Sequence, residues 1–90
     1  MAYEFRWNEW NVMHIGAHGV APVEAEYVVR HPIRGYPRYV GDGKYLAKAH
    51  TPGGRYLQTI YVFSPADVVF VIHARPMTAA EKAKLRRCRR

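Results

Sequence analysis

Residues 55–75 read RYLQTIYVFSPADVVFVIHAR, and this stretch decides the fold. Arg55 to Phe63 is rich in β-branched and aromatic residues and mostly apolar on both alternating faces, as in a central strand covered on each side. Ser64-Pro65-Ala66-Asp67 supplies the residues that turn a chain. Val68 to Arg75 is then the most β-prone stretch of the sequence. Strands joined by so short a turn must run antiparallel.

Upstream, Thr51-Pro52-Gly53-Gly54 is a strong turn signal leading into the central strand. Lys44 to about His50 reads as a further strand, entered through the turn Gly41-Asp42-Gly43. Tyr36 to Val40 is a short strand interrupted by Pro37, which places it at an edge. Downstream, Pro76 breaks the last strand. Thr78 is a cap for a helix from Ala79 to about Arg87, with Glu81 at the capping-box position.

The first third of the chain reads differently. Tyr3 to Trp7 alternates aromatic and charged residues, a half-buried strand. Asn8 caps a helix that runs to about His18, with Trp10, His14 and Ala17 on one face and Val12 and Ile15 widening it. Gly19 ends this helix and Val20 packs back. Pro22 opens a second helix, Glu24 and Glu26 suit its positive N-terminal end, and Val23, Tyr27 and Arg30 share a stripe beside Val28 and Val29. His31-Pro32 ends it, because proline pushes the preceding residue out of the helical region. The order is a strand, two helices, an antiparallel meander of about four strands and a C-terminal helix, an α+β domain. Helices from residues 8–30 should cover one sheet face and leave the other partly open.

Ninety residues suit one domain, 1–90. At 49% hydrophobic, the chain is far from a disordered composition. No apolar run approaches the roughly 18 residues that span a bilayer, and Met1 to Trp10 is too polar for a signal peptide. The single cysteine, Cys88, excludes an intrachain disulfide framework and a cysteine-based zinc site. A reducing, cytoplasmic setting is the expectation.

The formal charge of +7 is unevenly placed. Six of the 14 basic side chains fall in residues 82–90, as Lys82, Lys84, Arg86, Arg87, Arg89 and Arg90, leaving eight against seven acids in the body. A nearly neutral domain thus carries a basic tail, which suits a polyanion such as nucleic acid or serves solubility alone.

Candidate chemistry is confined to few positions. His14 and His18 lie four apart and so share a helix face, but there is no His-Glu-x-x-His pattern and no cysteine pair to complete a metal site. His18 before Gly19 has a simpler account as a donor at a helix C-terminus. No metal and no cofactor are therefore expected. His73 and Arg75 lie two apart on a strand and point to one face, continuing from Val69 and Val71. A histidine beside an arginine suits proton transfer near a phosphate, since arginine grips phosphate oxygens in a fork; a strand end fraying into solvent is the plain alternative. Arg55, after the Gly53-Gly54 turn, is free to pair with an acid or to reach the same face. Phosphate-cradling loops, Ser-His-Asp patterns and paired carboxylates are absent from the sequence. A nuclease built from these residues would be metal-free and would need RNA, whose 2′-hydroxyl attacks the neighbouring phosphate.

Taken in order, Phe5-Arg6-Trp7-Asn8-Glu9, His18-Gly19-Val20, Glu24-Ala25, Gly54-Arg55-Tyr56-Leu57, Ile72-His73-Ala74-Arg75, Met77-Thr78 and Glu81-Lys82 resemble the BrnT family of toxins from bacterial type II toxin–antitoxin pairs. The resemblance implies a RelE-like fold, with helices on one side of an antiparallel sheet. It also implies a small ribonuclease that arrests translation. Its partner would be an antitoxin with a ribbon-helix-helix DNA-binding domain, in a hetero-oligomer or beside a homodimer, and the complex would repress its own operon.

By position, Arg55 matches the family's Gly-Arg element, Arg75 its Ile-Ser-Ala-Arg element, Glu81 the glutamate of its last helix and His18 its Lys-His-Gly element. Ala17 stands where lysine is common, His73 replaces a small hydroxyl residue and Lys82 an arginine; no tyrosine follows in the final helix. The expected catalytic set is Arg55, Arg75, His73 and His18, with Lys82, Lys84, Arg86 and Arg87 holding RNA. Two further readings are a catalytically inactive BrnT-like module that binds RNA or a partner, and a metal-dependent enzyme using His14 and His18.

Overall fold

The computed structural model describes residues 3–64 and 67–88, and the side chains as far as Arg86. Pro65 and Ala66 of the expected turn lie outside the described residues, as do the side chains of Arg87 and Cys88 and the whole of Arg89 and Arg90. The elements are β1 (Glu4–Arg6), α1 (Glu9–Gly16), α2 (Pro22–Arg30), β2 (Arg38–Gly41), β3 (Lys44–His50), β4 (Tyr56–Phe63), β5 (Val68–Pro76) and α3 (Ala79–Cys88). The fold is α+β, as the sequence order required. No helix among the described residues is long and apolar enough to cross a membrane.

The strands form one sheet in the order β1-β5-β4-β3-β2. β2 to β5 are an antiparallel meander. β1 joins it in parallel beside β5, Phe5 opposite Val69, so the sheet is mixed. β4 sits in the middle with β2 at an edge, where the apolar run of the one and Pro37 before the other had placed them.

Paired residues share a side of the sheet, which sorts the strands into two faces. Ala47, Ala49, Leu57, Tyr61, Val69, Val71 and Ala74 form the buried floor on which Ile15 of α1 and Ala25, Val28 and Val29 of α2 pack. α2 lies across β3 and β4, and α1 lies along β5. The second face carries Leu46, Ile60, Val62 and Phe70, all only half-buried.

Both N-terminal helices bury the flank of the expected stripe, Ile15 in α1 and Val28 with Val29 in α2, rather than its centre. In α1 the buried residues are Asn11 and Ile15, while Trp10 is 53% exposed and Met13 66% exposed. Asn11 goes inside because both polar atoms of its side chain have a hydrogen-bond partner. It accepts from the Asn8 N–H at 2.8 Å and donates to the Arg6 carbonyl at 3.1 Å, while the Asn8 side chain accepts from the Asn11 N–H. The helix also stops at Gly16 rather than His18, and the chain turns through Gly19 at φ +73. In α2, Val23, which spacing had grouped with Tyr27 and Arg30, is 72% exposed. The C-terminal cap is as expected: Thr78 and Glu81 exchange backbone-to-side-chain bonds at 2.8 and 3.1 Å.

The two valines of α2 give a direct test. Val28→Ala removes two buried methyl groups and should cost roughly 1.5–3 kcal/mol of unfolding free energy. Val23→Ala should stay within about 0.5 kcal/mol. Urea denaturation of both variants checks the assignment, and equal losses would contradict it.

Candidate active site

β5 carries one residue more than β4 between two ladder pairs: Ile60 faces His73, while Tyr61 faces Val71. Ile72 is the extra residue. Such a bulge reverses which side the following residues take. His73 and Arg75 therefore do not continue the Val69–Val71 face, as uniform alternation had suggested. They project from the second face, in line with Phe70.

α1 flanks β5 where β1 has ended, and His14 on its outer side and His18 in the turn that follows bring two more imidazoles to the same place. His18 and His73 have ring centroids 5.2 Å apart, and His14 and His73 are 6.4 Å apart. Trp10 stacks on His14 at 4.8 Å and lies parallel to Phe70 at 6.0 Å. The Arg6 guanidinium sits over the Phe70 ring at 4.7 Å. The result is a row of aromatic planes ending at three histidines, with His14 and His18 exposed and His73 half-buried.

Burial lowers the His73 pKa from its ordinary 6.5, and the neighbouring His18, Arg75 and His14 add to the effect. A positive charge is disfavoured there, so His73 is neutral at pH 7 and able to accept a proton. Tyr61 is of no use as a base: burial, with Tyr3 and Tyr45 nearby, pushes its hydroxyl up to about 12.

Both arginines of the expected catalytic set are engaged. Arg75 grips Glu81 in a fork, Nη1 to Oε1 at 2.9 Å and Nη2 to Oε2 at 2.8 Å, and its Nη1 also donates to the Pro76 carbonyl. This contact, with the Thr78 N–H, holds the Glu81 carboxyl down at about 2. Arg55 donates to both Glu24 oxygens at 2.9 Å and to the Gly19 carbonyl at 3.0 Å, tying the α1–α2 turn to the start of β4. The structure thus joins His18 and His73, sets Arg75 one ladder row further along the same face, and uses Arg55 as a clamp between elements.

Of the expected RNA-binding residues, Lys82 reaches over the Tyr56 ring at 6.0 Å, and Lys84 and Arg86 are exposed on α3. Arg87 has its backbone in α3 and its side chain outside the described residues. Among the described residues, no three His, Cys, Asp or Glu side chains are arranged to hold a metal ion.

Sequence spacing alone did not point to several members of this face. Arg38 pairs with Leu46, Lys48 with Gln58 and His50 with Tyr56, so all three share the side of His73. Their signal was present in Lys48 and His50, which alternate with the buried Ala47 and Ala49. No protein family, curated protein or solved structure matches the chain.

Because the folded pKa of His73 is below 6.5, the unfolded chain takes up that proton first as the pH falls. Stability is complete above pH 6.5 and is lost below it, until folded His73 also protonates. His73→Gln should flatten the fall in urea midpoint between about pH 7.5 and about pH 5. An unchanged slope would assign the loss to other groups.

Proposed function

We propose that the chain is a metal-independent endoribonuclease, the toxin of a type II toxin–antitoxin pair that inhibits translation. One observation carries the reading: three imidazoles meet at the edge of a half-open sheet face, and the central one is neutral at pH 7.

Neutral His73 takes the proton of an RNA 2′-hydroxyl. The oxygen attacks the adjacent phosphorus, the bond from phosphorus to the 5′-oxygen breaks, and His18 gives that oxygen a proton. A 2′,3′-cyclic phosphate and a free 5′-hydroxyl result. Two groups of one kind with opposite proton duties suffice for this reaction. Arg75, one row away, offsets the negative charge gathered on the phosphate, and Glu81 fixes its orientation. The antitoxin partner, with its ribbon-helix-helix domain, rests on the family resemblance.

A second reading is favoured by the arginines: with Arg55 held by Glu24 and Arg75 by Glu81, neither cation is unpaired. A BrnT-like module that binds RNA or a partner without turnover would have this arrangement.

Purified chain with an end-labelled RNA, in the presence of a chelator, separates the two. The ribonuclease reading expects cleavage to cyclic-phosphate ends and a fall of about 100-fold or more for His73→Ala. Binding without cleavage by the folded native chain would select the module.

A further inference from the structure

The second face has an ordered layout beyond the histidines. His73, Ile60, Leu46 and Arg38 are successive ladder partners, forming one row across β5, β4, β3 and β2. Arg75, Gln58 and Lys48 form the next row, and Tyr56 with His50 the one after. Strands lie about 4.8 Å apart, so the first row covers about 14 Å from histidine to arginine. Its floor is apolar, and its far end is planar and cationic.

The far end of the first row and the third row each have a pre-stacked pair. The Arg38 guanidinium lies over the Tyr36 ring at 4.6 Å, with the Lys48 ammonium 5.6 Å from the same ring. The His50 ring lies parallel to Tyr56 at 4.3 Å, and Lys82 approaches Tyr56 from α3. Arg38 and His50 are exposed. Of the carboxylates on this face, Glu81 is bound to Arg75, and Glu4 stands on β1 at the opposite edge.

We infer that a single strand of RNA crosses this face at right angles to the β-strands, from His73 on β5 to a stacking platform made by Tyr36, just before β2, and Arg38 at its start. The inference rests on the ribonuclease reading for the nature of the ligand and adds its path. Bases stack on the guanidinium and imidazole planes, which tolerate any base. Lys48 meets a phosphate beside Arg38. Ile60 and Leu46 line the crossing, where apolar side chains meet base faces. Charge complementarity argues for this occupant: Arg38 and Lys48 stand together at the platform end, while Glu81 is held by Arg75 on β5 and Glu4 stands at the opposite edge. The platform then selects for length, since a strand must extend beyond the reacting phosphate to reach it.

The test is fluorescence anisotropy with 2′-O-methyl oligonucleotides, which have no 2′-hydroxyl to react. The native chain should bind a hexanucleotide much more tightly than a dinucleotide. The variant Arg38→Gln with Lys48→Gln should weaken hexanucleotide binding about 10-fold and lower the salt slope by about 0.7 for each phosphate it no longer neutralises. Its dinucleotide binding and urea midpoint should not move. Equal hexanucleotide binding by the double variant and the native chain overturns the path and leaves the ribonuclease reading standing. Binding of polyglutamate with none of the hexanucleotide overturns the RNA reading and the path together, assigning the face to an acidic protein.

Discussion

The pairing of β4 with β5 holds seven residues of each strand opposite one another and leaves Ile72 over. The placement of His73 and Arg75 follows from that surplus residue. Before it, β5 gives Val69 and Val71 to the helices; after it, Ala74 takes over the buried side and His73 and Arg75 turn outward. With strict alternation, an imidazole and a guanidinium would have pressed into an apolar core, a burial no partner there could offset. The bulge lets one strand serve the core along its whole length and still present polar groups at one end.

The ion pairs divide labour in a related way. Glu24 with Arg55, Glu26 with Arg30 and Glu81 with Arg75 each tie a helix to itself or to the sheet. Pairs so open to water contribute little stability individually. Their larger effect is positional: they fix the α1–α2 turn, and so His18, against β4, and they start α3 at the end of β5. They also use up acids, leaving Arg38 and Lys48 without a carboxylate partner among the described residues.

Much of this fold was legible in the sequence because its signals were local. Turn residues bounded β3, β4 and β5 almost to the residue, Pro37 marked the edge, and Thr78 with Glu81 announced α3. The illegible parts had non-local causes. Nothing distinguishes Ile72 from its neighbours in the run Val68 to Ile72, because a bulge is defined by the partner strand. The helix stripes failed because α1 and α2 span only eight and nine residues with apolar groups on several sides. Tertiary position then chose Asn11 over Trp10 and Ala25 over Val23. Of the site, His73, His18 and Arg75 could be named from spacing and resemblance. The row ending at Arg38 required the register of four strands.

β1 occupies the place beside β5, with Glu4 opposite Val68. The first strand therefore waits for the last. During synthesis the meander must be almost complete before β1 has a neighbour, and α1, which follows it, cannot be set against β5 earlier. Contacts so distant along the chain slow folding, and a growing chain assembles from its N-terminal end. The three histidines come together only once β5 has formed and paired, so the cluster has no existence in a chain that has yet to add that strand.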